Sequence, residues 1–128
     1  MGQGRGGTAA TVLVVEDDPA LRLLCTVNLE LEGHRVLEAP TVDAARDHIA
    51  REAIDVVLLD VHVGPQSGYD LIDPIRDRGT TTPIVLMSGT AEVTQADRER
   101  VDAVLSKPFE PEDLAMLVAR LSQAATTG

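Results

Sequence analysis

The sequence predicts an α/β fold, a (βα)5 doubly wound parallel sheet, and three observations predict it. Five short apolar runs recur, at 12–15, 35–37, 56–59, 84–87 and 103–105. Three of them are continuous and rich in Val, Ile or Leu, as strands buried on both faces must be. Helical patterns separate them, and strictly alternating strands and helices give a parallel sheet with helices on both faces and right-handed crossovers.

The elements follow in order. After the first strand, Asp18 is an N-cap with Pro19 at the first helical position, and Gly33 stops the helix. Thr41 caps an Ala-rich second helix ending near Arg51. The third helical pattern starts near Gly68 and stops at Gly79, with Pro74 inside it. Proline removes a hydrogen bond and clashes one turn back, so a late start or a kink is expected there. A weakly patterned fourth helix is expected at 92–100. The fifth begins at Pro111, with Leu114, Leu117, Val118 and Leu121 at i, i+3, i+4 and i+7. The organisation is one domain at 11–121. A glycine-rich N-terminal tail precedes it at 1–10, and a C-terminal tail or truncated linker follows at 122–128. Gly2-Gln3-Gly4 precedes the first strand, whereas a phosphate-binding glycine loop must follow it.

Composition narrows the function. Of 128 residues, 44% are hydrophobic but only Tyr69 and Phe109 are aromatic, so the core is aliphatic. Net charge is −10, which disfavours direct nucleic-acid or anionic-membrane binding and suits a cation site. No apolar run is long enough to span a membrane. The single cysteine, Cys25, excludes an internal disulfide, fits a reducing cytoplasm, and falls in a helical pattern as a packed core thiol. His34 and His48 have no identifiable partner and are read as surface residues.

Ligands of such sheets bind at the carboxyl ends of the strands. There the sequence offers Glu16, Asp17 and Asp18 after the first strand, Asp60 after the third, Ser88 after the fourth and Lys107 after the fifth. Lys107 is the only lysine in the chain; the other ten basic residues are arginine. Three carboxylates in one cleft raise each other's pKa, and one lysine offsets only one charge. An all-oxygen set with room for water suits Mg2+ or Mn2+. A carboxylate with a cation, an ammonium and a hydroxyl around it is an arrangement for phosphoryl transfer, with Asp60 attacking phosphorus in line. Taken singly, Asp18 reads as a cap and Ser88-Gly89 as turn chemistry. The joint occurrence on four strand ends is what carries the functional reading.

The motifs Val14-Val15-Glu16-Asp17-Asp18-Pro19, Leu58-Leu59-Asp60 with Gly68 eight residues on, Leu86-Met87-Ser88-Gly89 and Ser106-Lys107-Pro108-Phe109 resemble, in this order, a response-regulator receiver domain of two-component signalling systems (the CheY-like family). The resemblance implies the flavodoxin-like strand order 2-1-3-4-5. It implies a phosphoacceptor switch, not a metabolic enzyme, with Asp60 phosphorylated from a histidine kinase, a phosphotransfer protein or a small phosphodonor. Glu16, Asp17 and Asp60 match the metal-holding acids, and His62 matches the position that offers its backbone carbonyl. Ser88 and Lys107 match the residues that sense the phosphoryl group and switch the surface around the fourth strand, fourth helix and fifth strand. The partners implied are that kinase, a downstream target or output domain, and a phosphorylation-dependent homodimer. A cis Lys107–Pro108 bond is also implied.

The chain departs from the family pattern at four places. Val104 stands where an aromatic is usual. The stretch from Ser88 to Lys107 is about three residues short, so a short or displaced fourth helix is expected. The loop after Asp60 reads His62-Val63-Gly64-Pro65, with its proline one position late, and Pro74 lies in the third helix. The ring of His62 is expected to face solvent, the alternative being a hydrogen bond to the phosphoryl group or an attacking water that tunes the lifetime of the acyl phosphate. One rival, an aspartate-nucleophile phosphohydrolase, needs a second Asp two residues after the first, where this chain has His62. A flavin-binding module needs a glycine-rich phosphate loop after the first strand, where Glu16-Asp17-Asp18 would repel phosphate. The remaining alternative is a receiver-like interaction domain that works without phosphorylation.

Overall fold

The computed structural model describes residues 9–77, 81–89 and 93–127. The reading of Gly79 as a helix stop, the start of the fourth helix at residue 92 and most of the N-terminal tail therefore lie outside the described residues.

Five parallel strands form the main sheet: β1 (Thr11–Val15), β2 (Arg35–Ala39), β3 (Val56–Asp60), β6 (Ile84–Ser88) and β7 (Ala103–Ser106). A two-residue hairpin, β4 (His62–Val63) and β5 (Gln66–Ser67), lies between β3 and β6 in sequence. The sheet order is β2-β1-β3-β6-β7, which is the predicted 2-1-3-4-5 counted over the five main strands. β3 and β6 are buried along their whole length. Alternate side chains of a strand point to opposite faces, and the core divides accordingly. Leu13, Val15, Val57, Leu59, Ile84 and Leu86 share one cluster with Ala45 and Ile49 of α2 (Val42–Arg51) and Ile72 and Ile75 of α3 (Ile72–Arg76). Val12, Val14, Val56, Leu58, Val85 and Met87 share the other with Cys25 and Leu29 of α1 (Pro19–Leu31) and Leu114 and Val118 of α5 (Pro111–Thr127). Burial pushes the Cys25 thiol up to about 12, so it is an inert core group.

The helix signals act as read. Asp18 accepts from the Ala20 amide at 3.0 Å and Thr41 from the Ala44 amide at 3.0 Å. Before α3, residues Gly68–Leu71 make a 3-10 turn. The α-helix starts only at Ile72, which puts Pro74 in its first turn, where its missing N–H costs nothing. Helix α4 (Gln95–Glu99) is five residues long, buries none of them, and is closed by a Thr94–Asp97 capping box.

Four features differ from the sequence reading. Helix α5 continues to Thr127, through most of the stretch read as a tail. His34 is not on the surface: it is 5% exposed, and its Nδ1 accepts from the Ala10 amide at 3.0 Å, pinning the entry to β1. His48 has a partner too, with Nε2 lying 3.1 Å from the Glu38 carbonyl oxygen. The β4–β5 hairpin was not foreseen. Gly64 turns it with φ 61°, a conformation that suits glycine. The turn brings the Gly68 amide to the Val61 carbonyl at 2.7 Å and folds this loop back against Asp60.

Candidate functional site

The carboxyl ends of β1, β3, β6 and β7 meet above the middle of the sheet. Register places them: Val15 pairs with Leu59, Asp60 with Met87, and Ser88 with Ser106. The side chains leaving these ends line one open cleft, formed by Glu16, Asp17, Asp18, Asp60, Val61, His62, Gly64, Gly89 and Lys107. Glu16, Asp17 and Asp60 each bring a carboxylate oxygen within 4.8 Å of the others. Glu16 and Asp60 are buried, while Asp17 faces solvent.

Lys107 joins the acids. Its Nζ lies 3.2 Å from Glu16 Oε1 and 3.2 Å from Asp60 Oδ1. The other oxygen of Glu16 accepts from the Asp18 amide at 3.0 Å. Main-chain bonding holds the lysine in place: its amide donates to the Ser88 carbonyl at 2.8 Å, and the peptide to Pro108 is cis, as expected. Ser88 itself is buried at the end of β6, 3% exposed, one residue before the cleft-lining Gly89. His62 is exposed at the rim. Of the residues singled out from the sequence, Glu16, Asp17, Asp18, Asp60, His62 and Lys107 line this cleft. Gly64 and Gly89, which the sequence offers only as loop and turn residues, line it as well.

The electrostatics follow from this crowding. Burial raises the Glu16 carboxyl to about 7, and the neighbouring Asp60 adds to the rise; the Asp18 amide and Lys107 oppose it. Burial also works against the Lys107 ammonium, but Asp60 and Glu16 outweigh it, and its pKa is raised. One ammonium thus leaves the cleft with surplus negative charge. All the clustered donors are carboxylate oxygens, so the group fits a hard divalent cation such as Mg2+ or Mn2+ and not zinc.

Comparison with known proteins agrees with this geometry. Residues 12–119 match the response regulator receiver domain family. The response regulator protein FleR of Pseudomonas aeruginosa is 39% identical over 115 residues, covering 88% of this chain and 24% of FleR. An uncharacterized 14.6 kDa protein of Leptolyngbya boryana is 33% identical over 114 residues, covering 84% of this chain and 86% of that protein. Other curated relatives are matched over about half their length. Among solved structures, NtrX from Brucella abortus is 28% identical with a TM-score of 0.83, over 93% of this chain and 28% of that one.

Proposed function

The chain belongs to the response regulator receiver domain family, and on that footing we propose that Asp60 is the phosphoacceptor of a two-component signalling switch. The observation that supports this most directly is the shared contact of Lys107 Nζ with Asp60 Oδ1 and Glu16 Oε1. It holds a carboxylate at the end of a rigid, fully buried strand beside a cation able to accept new negative charge.

In the proposed reaction an oxygen of Asp60 attacks the phosphorus of a phosphohistidine. The P–N bond breaks, its electron pair returns to the imidazole nitrogen, and an acyl phosphate forms on Asp60. Glu16, Asp17 and Asp60 are the side chains that would hold a divalent cation, with the backbone carbonyl of His62 as a further donor. When bound, that cation offsets charge on the transferring phosphoryl oxygens. Lys107 exchanges its contact with Glu16 for one with the phosphoryl group, and Ser88 donates to it once drawn toward the cleft. The added charge then biases the surface around β6, α4 and β7 between two arrangements. The product is a conformational signal to a partner or output domain, or to a second copy of the chain, and no metabolite is turned over.

The donor is proposed to be a histidine kinase or phosphotransfer protein in the cytoplasm. Among the described residues no helix is long and apolar enough to cross a membrane. Helix α1, which starts at the cleft, exposes Leu23 and Leu31 at 60% and 72% along its length, with Leu24 and Val27 between them. An apolar stripe along the helix that leaves the cleft suits docking of a helical donor. The acidic balance of the domain does not suit nucleic acid.

The test is incubation with Mg2+ and a small acyl phosphate, followed by intact mass measurement. One phosphoryl adduct is expected on the wild type and none on Asp60→Asn. No adduct with any donor would leave the reading of a receiver-like domain working without phosphorylation. Lys107→Arg provides a second expected outcome. The forked guanidinium cannot take the place of a compact ammonium. Cation binding should therefore survive, while the phosphorylation-dependent change in the β6–α4 resonances is largely lost. A wild-type response in the arginine variant would show that the lone lysine is incidental.

A further inference from the structure

A second cation, besides Lys107, reaches the acidic turn through its main chain. Arg22 of α1 is not among the residues that line the cleft. Its Nη1 donates to the Glu16 carbonyl oxygen at 2.9 Å and reaches the Asp17 carbonyl oxygen at 3.5 Å. Its Nε donates to Glu38 Oε1 on β2 at 3.1 Å, and only 19% of its side chain is exposed. The Glu16 amide in turn donates to the Ala39 carbonyl at 3.1 Å. The main chain of Glu16 is thus held on both sides, by β2 and by Arg22.

The choice of acceptor is what matters. An arginine paired with the carboxylates of Glu16 or Asp17 would neutralise them and occupy the lone pairs that a cation needs. Bonded to their carbonyls, it fixes the backbone that carries them, lends positive charge nearby, and takes up none of the carboxylate oxygens itself. A planar fork does this with one arm while the other is aligned by Glu38, which a point-charge lysine cannot reproduce.

We propose that Arg22 is a positioning residue for the divalent-cation ligands, with Glu38 as its orienting partner. This rests on the reading of the acidic cleft as a cation site. Groups that orient metal ligands are worth about 10–100-fold in metal affinity. The test is a Mg2+ titration followed by NMR on wild type, Arg22→Ala, Arg22→Lys and Glu38→Gln, with urea midpoints measured alongside. Arg22→Ala is expected to weaken Mg2+ by about tenfold, Arg22→Lys to recover part of that loss, and Glu38→Gln to fall between it and wild type. In metal-free protein, the Asp17 and Asp18 amides should shift in Arg22→Ala while those of β3 stay in place. If Arg22→Ala does not fold, Arg22→Lys and Glu38→Gln decide by the same measure. Wild type that binds Mg2+ alongside variants that bind it within about twofold would overturn the positioning role alone, being far below the expected range. Wild type that binds no Mg2+ would overturn the cation site itself, and this role with it.

Discussion

Gly68→Ala is expected to destabilise the fold by about 3 kcal/mol, the upper end of the usual range for overpacking. A Cβ at this position would land on the carbonyl oxygen of Asp60, far inside van der Waals contact, and 3.2 Å from Leu59 Cδ1. Neither atom can yield easily. The carbonyl belongs to the last residue of a strand buried at every position, and the Gly68 amide is itself committed to Val61. Gly64→Ala is the comparison. Nothing lies within 4 Å of its added Cβ, so only its φ of 61° is strained, at a cost of about 1 kcal/mol. Urea unfolding followed by circular dichroism separates the two variants. Equal midpoints would mean that the loop can lift off Asp60 freely. A repositioned loop would also show in the proposed acyl phosphate reaction, because the carbonyl and the carboxylate belong to the same residue.

Metal-free protein is expected to lose up to about 3 kcal/mol of stability as pH rises through the window from 4.5 to about 7, and Mg2+ to restore it. The sign follows from Glu16. Its folded pKa lies above its ordinary value of 4.5, so within the window the folded state keeps a proton that the unfolded state releases. Unfolding then releases protons, and stability falls as pH rises. Below the window both states are protonated and above it both are ionised, so the slope vanishes. Glu16→Gln removes the titration while keeping the shape of the side chain. Urea midpoints in chelator between about pH 5 and 8 should diverge, the wild type falling relative to the variant. Parallel curves would show that Lys107 alone balances the cleft.

Most of the architecture was legible because it depends on local chemistry. Continuous runs such as 56–59 and 84–87 specify strands buried on both faces, and Asp18, Pro19 and Thr41 carry their capping function in their side chains. Glu16, Asp17, Asp60 and Lys107 could be grouped because a parallel sheet brings all its strand ends to one edge. What escaped depended on partners distant in sequence. His34 looked unpartnered because its acceptor role involves the amide of Ala10, 24 residues earlier. Arg22 reads as one polar residue on an amphipathic helix until the tertiary fold aims it at two carbonyls. The β4–β5 hairpin is two residues on each side, too short for any periodicity to register. The place of Ser88 at the end of the fourth main strand is legible in the sequence, but its burial to 3% exposure depends on packing that no spacing encodes.

The five-residue α4 gives the molecule a gradient of stiffness. Asp60 rides on a strand packed on both faces, whereas α4 buries no side chain and is tied to α3 by an exposed Arg100–Asp73 pair at 3.2 Å. Such pairs contribute little, and segments with few buried contacts open locally at a small fraction of the global unfolding free energy. On the proposed function, phosphorylation at the rigid end needs to supply only a small bias to redistribute the loose end. In a chain that carries Val104 where an aromatic lever is usual, that low local opening energy is an alternative source of responsiveness, set by how little holds α4 in place.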